Sequence, residues 1–282
     1  MTVNCLATDY DGTISPSHVA RTESDVSPET RKILCKIGKS IPIAVITTKD
    51  LGFVKSKTSF ARAWSAIGGL ETQIGSRILN RDLPTFPIPA ISRAVNFARS
   101  HTTAHSVEIE EKQNCRGWTI AFCIDWRHAG NPDVARKNAC QVADYSEALG
   151  LQVVRYEDQP FIDVYPVAPN KGRALRGILE ELAIDDGVLY MGDSESDNSA
   201  FQNSNVGVGV IHSRTRSDDL ESDFFVNFGD VSSFLENIVK NNFRFNPNFP
   251  NITLNPRPKR NSTKTLSQKS FLVPALRHES HS

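Results

Sequence analysis

Short, unbroken apolar runs alternate with single helical stripes at both ends of the chain, and a different rhythm fills the middle. "VNCLAT" carries Val3, Cys5, Leu6 and Ala7 without polar alternation, the pattern of a strand covered on both faces. "SPETRKILCKIG" then supplies helix-start signals: Ser27 as N-cap, Pro28 at the first helical position, Glu29 in the first turn, and Ile33, Leu34 and Ile37 on one face. "IPIAVITT" reads as a second buried strand ending at Thr47 and Thr48, and Gly68 and Gly69 mark a turn further on. Strand, helix and strand with such runs predict a parallel sheet.

Between about residues 84 and 163 the pattern predicts a helix from Ile88 to Ser100, strands at "SVEIEEKQ" and "GWTIAFCIDWR", a helix from Pro132 to Leu149, and strands at "LQVVRYE" and "FIDVYPV". Helices with paired antiparallel strands form an α+β unit, here inserted into the parallel sheet. The βα rhythm resumes at "KGRALRGILEELA", where Ala174, Leu175, Ile178, Leu179 and Leu182 form one stripe. Strands follow at "GVLYMGD", "NVGVGV" and "FFVNF", and a helix at "DVSSFLENIVKN" with Asp230 as N-cap. The predicted organisation is therefore a core in two parts, 1–83 and 164–242, around an insertion at 84–163. From 243 to 282 a basic stretch rich in Asn, Pro, Ser and Thr reads as a disordered tail.

Composition narrows the classes of partner. The 32 Lys and Arg balance 32 Asp and Glu, so no global field draws the molecule to nucleic acid or an anionic membrane. No apolar run approaches the roughly 18 residues a membrane span requires. Five cysteines without CxxC spacing, and no charged and apolar leader at the start, give the expectation of a reduced, cytoplasmic protein. His101, His105 and His128 have no metal-ligand spacing, and Trp118, Phe122 and Trp126 read as packing residues.

The acids carry the chemistry. In a parallel α/β sheet, ligands bind outside the carboxyl ends of the strands. Asp9 and Asp11 follow the first strand, Thr47 the second, and Asp193 and Asp197 the strand "VLYMG", so four carboxylates and a hydroxyl converge at one edge. Such a cluster requires a cation and a basic residue. Oxygen ligands without a nearby histidine suit Mg²⁺, and Lys171, on a helix capped by Asn170, supplies the base. Asp9 is then placed to attack phosphorus, and Asp11 to protonate the leaving oxygen and later activate water. Gly12 allows a tight turn beside the site, and Thr47 and Thr48 can bond phosphoryl oxygens.

These residues stand in four ordered motifs that resemble the haloacid dehalogenase superfamily of phosphohydrolases: "DYDGT", Thr47 in "VITTKD", Lys171 in "NKG", and "GDSESDN". The resemblance implies a Rossmann-like parallel-sheet core with an inserted α+β cap, Asp9 as nucleophile and Asp11 as general acid and base. It also implies Mg²⁺ held by Asp9, the Asp11 carbonyl, Asp193 and Asp197. The insertion resembles the large cap of the sugar phosphatases, and "IGGLE", "VEIEEKQN" with "WR", and "IDVYP" are most similar to trehalose-6-phosphate phosphatases. Relatives of that kind read their sugar with charged residues on cap strands, which makes Glu111, Lys112, Arg127 and Asp163 the substrate-binding candidates. The chain departs from that pattern at Asp163, where those enzymes carry Glu, and in "GDSESDN", where they carry GDD-x-TDE.

The expected function is Mg²⁺-dependent hydrolysis of a sugar phosphate, foremost trehalose 6-phosphate. The alternatives are mannosyl-3-phosphoglycerate, sucrose 6-phosphate or phosphoglycolate as substrate, or a non-catalytic sugar-phosphate-binding module. Closure of the cap predicts hinges near 82–86 and 164–168.

Overall fold

The computed structural model describes residues 1–17, 19, 21–79, 88–102, 107–156, 159–213 and 215–256. The first predicted hinge at 82–86, His105 and the tail from 257 lie outside them.

The chain opens with β1 (Cys5–Thr8), α1 (Pro28–Gly38) and β2 (Ile43–Ile46). Ser27 caps α1 by accepting the Thr30 N–H at 3.2 Å, and Pro28 opens the first turn, a cap worth about 1 kcal/mol. Four elements that the apolar pattern did not announce come next: α2 (Leu51–Lys57), β3 (Ala63–Ala66), β4 (Glu71–Ile74) and β5 (Arg77–Leu79). The strand "ETQI" reads as polar, yet Glu71, Thr72 and Gln73 are buried.

The middle of the chain forms α3 (Ile88–Thr102), β6 (Glu108–Gln113), β7 (Thr119–Asp125), α4 (Pro132–Ala148), β8 (Gln152–Arg155) and β9 (Phe161–Tyr165). The remainder gives α5 (Lys171–Glu181), β10 (Val188–Gly192), α6 (Asn198–Phe201), β11 (Val206–Ile211), β12 (Phe224–Asn227), α7 (Val231–Lys240) and β13 (Ile252–Leu254).

Among the described residues, one sheet has the order β13-β12-β11-β10-β1-β2-β3-β4-β5, parallel from β12 to β3 and antiparallel at its flanks. Helices cover both faces. On one, Leu34, Phe234, Leu235 and Ile238 of α1 and α7 pack with Leu6, Val45, Leu189 and Met191. On the other, Leu175 and Ile178 of α5 pack with Ala7, Ala44, Ile46 and Tyr190. This is the doubly covered arrangement that continuous apolar strands require. The chain order reverses on either side of β1, so the ends of β1, β2 and β10 share one crevice.

The insertion has its own antiparallel sheet, β6-β7-β9-β8, and its own core beneath α3 and α4. Phe122 and Ile124 of β7 and Ile162 and Val164 of β9 face those helices. The alternate positions, Cys123, Asp125, Phe161 and Asp163, line the cleft toward the core. The turn after β6 also touches the core, with the Cys115 N–H donating to Glu71 Oε1 at 2.7 Å.

The expectation of a tail beginning at 243 does not hold through residue 256. Phe245 and Ile252 are buried, Phe249 meets the Phe245 ring edge-on, and β13 closes the sheet beside β12. Apolar residues spaced among Asn and Pro supply enough burial there, although the average composition is polar.

Candidate active site

The turn after β1 delivers Asp9 and Asp11. Gly12 within it has φ +74°, and a Cβ there would come within 2.2 Å of Asp193 Oδ2 and 2.9 Å of His212 Nε2. The glycine is needed for space as well as conformation. Gly68, at φ +65°, ties the other loops together: its N–H donates to the Thr47 carbonyl at 2.9 Å, and its carbonyl accepts the Asn170 N–H at 2.8 Å. Asn170 Oδ1 accepts the Arg173 N–H at 2.7 Å and caps α5, which starts with Lys171.

Lys171 is 3% exposed. Its Nζ lies 2.9 Å from Asp9 Oδ2 and 2.8 Å from Asp197 Oδ1. Burial opposes the ammonium charge, but Asp197 and Asp9 outweigh it and raise its pKa. Carboxylate oxygens of Asp9, Asp193 and Asp197 lie within 4.8 Å of one another, three potential negative charges beside a single ammonium. Burial first, then Asp197 and Asp193, push the Asp9 carboxyl well above its ordinary value against the pull of Lys171. Burial likewise raises Asp193, against hydrogen bonding from His212.

This donor set fits a hard divalent cation, and Mg²⁺ accepts one or two carboxylates. The three acids are not equivalent in what they can offer. Asp197 Oδ1 accepts from Lys171 and from Tyr190 OH at 2.6 Å, while Oδ2 accepts the N–H groups of Asp193 and Ser194 at 3.2 Å and Ser194 Oγ at 3.3 Å. Five donors occupy its roughly four lone-pair directions, so its charge is committed to Lys171 and the loop. Asp9 and Asp193 keep more capacity for a metal. The Asp11 carboxylate stands apart from the group, half-buried, accepting Ser24 Oγ at 3.1 Å with Lys49 Nζ 3.9 Å away.

At the end of β2, Thr48 lines the cleft, and Thr47 is buried with its Oγ1 accepting the Lys49 N–H at 3.2 Å. The cleft, of about 340 Å³, runs from Asp9, Asp11, Lys171 and Asp193 in the core to Lys112, Arg127 and Asp163 in the insertion.

On the cap side, Lys112 and Asp163 are each 3% exposed and form a 2.6 Å ion pair. Asp163 Oδ2 also accepts from Tyr156 OH at 3.0 Å and Tyr165 OH at 3.2 Å. Burial would raise Asp163, but the Lys112 charge and the three hydrogen bonds overcome it and hold the carboxyl below its ordinary value. Arg127 sits at the rim, its Nε 2.7 Å from Asp125 Oδ2 in a geometry too bent for a hydrogen bond.

Glu111 does not reach the cleft. It pairs with Arg99 of α3 and accepts Thr119 Oγ1 at 2.7 Å. Strand alternation is the reason: on β6, residues 110 and 112 share one face and 111 the other. Glu110 is the acid that lines the cleft, and the period of two counted from Lys112 was the signal for it. Register places Glu110, Cys123 and Asp163 side by side across three strands. Glu110 takes its cations from the core, pairing with Arg21 and lying 3.6 Å from Lys49 Nζ. Burial opposes its charge, but Lys49, Lys112 and Arg21 lower its pKa overall. Arg21 also pairs with Asp50 and lies over the Phe53 ring at 4.5 Å. The sequence reading also missed His212, whose Nε2 is 2.9 Å from Asp193 Oδ2, so a histidine does stand beside the acids.

Comparison with known proteins agrees with this fold. A family model described as trehalose-phosphatase matches residues 7–224. A curated relative, trehalose-phosphate phosphatase B of Arabidopsis thaliana, is 24% identical over 82% of this chain, and the chain spans 65% of that relative's length. Among solved structures, a trehalose-6-phosphate phosphatase related protein superposes with a TM-score of 0.68 at 16% identity, covering 84% of this chain and 98% of its own. A haloacid dehalogenase-like hydrolase from Bacteroides thetaiotaomicron gives 0.63 at 14% identity, with coverage of 84% and 99%. At such identities the likeness establishes the fold. Among the described residues, no helix is long and apolar enough to cross a membrane.

Proposed function

Because the chain belongs to the trehalose-phosphatase family, matched over most of its folded length, we propose that it is a Mg²⁺-dependent phosphomonoester hydrolase whose substrate is a sugar phosphate, trehalose 6-phosphate first, and whose intermediate is an aspartyl-phosphate on Asp9. The observation that carries this reading is the buried Asp9 carboxylate, 2.9 Å from Lys171 Nζ and clustered with Asp193 and Asp197 at the carboxyl ends of parallel strands. A carboxylate cluster of this kind, with one buried lysine and an acid two residues beyond the nucleophile, has the parts that a two-step displacement needs.

In the first step an Asp9 oxygen attacks phosphorus, the bond from phosphorus to the sugar oxygen breaks, and Asp11 gives its proton to that leaving oxygen. In the second, Asp11 takes a proton from water, the water oxygen attacks phosphorus, and Asp9 leaves with inorganic phosphate released. Lys171, fixed by Asp197, neutralises the phosphoryl oxygens, and Thr47 and Thr48 hydrogen-bond them, while the Gly12 N–H is taken by the Ser15 carbonyl at 2.7 Å. Mg²⁺, when bound, would be held by Asp9, Asp193 and the Asp11 carbonyl and would supply positive charge to the phosphoryl group. Glu110, Lys112 and Asp163 accept and donate to sugar hydroxyls, with Arg127 at the rim, and these contacts choose the substrate.

Phosphate release from trehalose 6-phosphate, sucrose 6-phosphate, mannosyl-3-phosphoglycerate and phosphoglycolate, with and without Mg²⁺, tests the proposal. Metal-dependent release favouring trehalose 6-phosphate is expected. Preference for another substrate overturns the sugar assignment alone, and no release from any of them, with the protein folded, overturns the enzymatic reading.

A further inference from the structure

Resting on the reading of Asp193 as a cation ligand, we propose that His212 is a positioning residue that fixes the Asp193 carboxylate for metal binding. Asp193 is gripped from two sides: Thr13 Oγ1 donates to Oδ1 at 3.3 Å, and His212 Nε2 stands 2.9 Å from Oδ2. Both side chains of the His212 and Asp193 pair are largely buried, at 16% and 12% exposure. The torsion that turns a carboxylate is broad and roughly two-fold, so donors on both oxygens are what hold it in one orientation. Repulsion from Asp9 and Asp197 acts on the same group, and without His212 it can swing away from them.

The local fold is arranged around this contact. β11 lies parallel beside β10 with Gly209 opposite Gly192, so the residues just past the two strand ends meet over the β1 turn. His212 is locked there by a closed turn: its N–H donates to Thr215 Oγ1 at 3.1 Å, the Thr215 N–H returns to its carbonyl at 3.1 Å, and Thr215 Oγ1 donates to the Val210 carbonyl at 3.2 Å. The space between imidazole and carboxylate is kept open by Gly12, whose absent Cβ would press on both. Outer-shell hydrogen bonds of this type orient metal ligands, and their loss typically costs about 10–100-fold in metal affinity.

The test is Mg²⁺ titration calorimetry on protein stripped with EDTA, with Mn²⁺ paramagnetic resonance as a second readout, for wild type, His212→Ala and His212→Gln. His212→Ala is expected to weaken metal binding about 10-fold or more. His212→Gln, whose amide nitrogen reaches near the Nε2 position, is expected to recover most of that loss, and the melting temperature of all three in EDTA should agree closely. Unchanged affinity in His212→Ala overturns the proposal, as does a glutamine variant no better than alanine. Wild-type protein that binds Mg²⁺ but releases no phosphate from any substrate refutes the enzymatic reading and leaves the His212 result standing. Wild-type protein that binds no Mg²⁺ refutes both.

Discussion

In the core, three carboxylates share one ammonium; in the cap, one carboxylate and one ammonium pair directly, and two tyrosine hydroxyls donate to the same carboxylate. Both groups are buried, and they solve the cost of burial differently. The cap pair is balanced and hydrogen-bonded within itself, so it stands as a rigid platform of fixed polarity. The core cluster carries an excess of acid that its own lysine does not cancel, a repulsion that a bound cation would relieve. On the proposed function, the site with charge in reserve acts on the phosphate and the site balanced within itself selects the sugar. Glu110 stands between the two, a cap residue whose cations, Arg21 and Lys49, belong to the core.

The sharpest way to break this contrast is to remove the reacting carboxylate. Asp9→Asn should reduce phosphate release by at least about 10³-fold while leaving the melting temperature of the metal-free protein undiminished, because the cluster loses one of its repelling charges. A variant that retains turnover contradicts the core assignment. Lys112→Met should behave in the opposite sense: it strands Asp163 as a buried, uncompensated carboxylate and is expected to destabilise the fold by about 3–5 kcal/mol in denaturant unfolding. Replacing Asp163 by Leu as well should return much of that loss, since the desolvation penalty disappears with the charge.

Adding Mg²⁺ to about 100 times its dissociation constant should stabilise wild type by about 2.7 kcal/mol in the same assay, and Asp193→Asn should lose most of that gain. A smaller effect separates neighbours on one strand. Glu110→Gln should lower kcat/KM for trehalose 6-phosphate about 10-fold, whereas Glu111→Gln, on the opposite face, should change it less than about two-fold. Equal effects from the two would place both side chains in the cleft, against the observed pleat.

The pH dependence of the cap pair carries its own sign. Asp163 is lowered in the folded state, so between its folded pKa and the unfolded value of about 3.9 the unfolded chain binds more protons. Its stabilisation is therefore complete above about pH 4 and lost as pH falls through the folded pKa. Lys112 is raised, so its contribution is complete below about pH 10 and is lost as pH climbs through the folded value. Removing both partners should flatten the acid limb of the stability curve between wild type and the double variant.

Much of the fold could be read from the chain because the parallel strands are short and continuously apolar, and the helices carry clear caps at Ser27 and Asn170. The strands around "AWSA" and "ETQI" escaped because Ser65, Glu71, Thr72 and Gln73 are polar residues that are nonetheless buried; Ser65 and Thr72 bond each other at 2.8 Å, and Glu71 accepts the Cys115 N–H from the insertion. The segment 243–256 escaped because Phe245, Phe249 and Ile252 are diluted by Asn and Pro. Within the site, the meeting of Asp9, Lys171, Asp193 and Asp197 was legible since each lies just past a strand or at the start of a helix, whereas the Asp11 carboxylate, expected to join them, stands apart beside Ser24 and Lys49. Glu110 was displaced to Glu111 by reading a charge run without its pleat. His212 was invisible because its partner lies 19 residues back, on a neighbouring strand end.

The central claim, that the core performs the chemistry and the balanced cap chooses the substrate, is tested most directly by Asp163→Asn assayed on two phosphates. One is trehalose 6-phosphate, the proposed substrate, which offers the cap sugar hydroxyls, and the other is p-nitrophenyl phosphate, which offers it none. kcat/KM is expected to fall about 10-fold or more for the sugar phosphate and to stay near wild type for the aryl phosphate. An equal fall for both, in a variant that remains folded, would mean that the cap pair acts on the reaction itself and would contradict the division of labour.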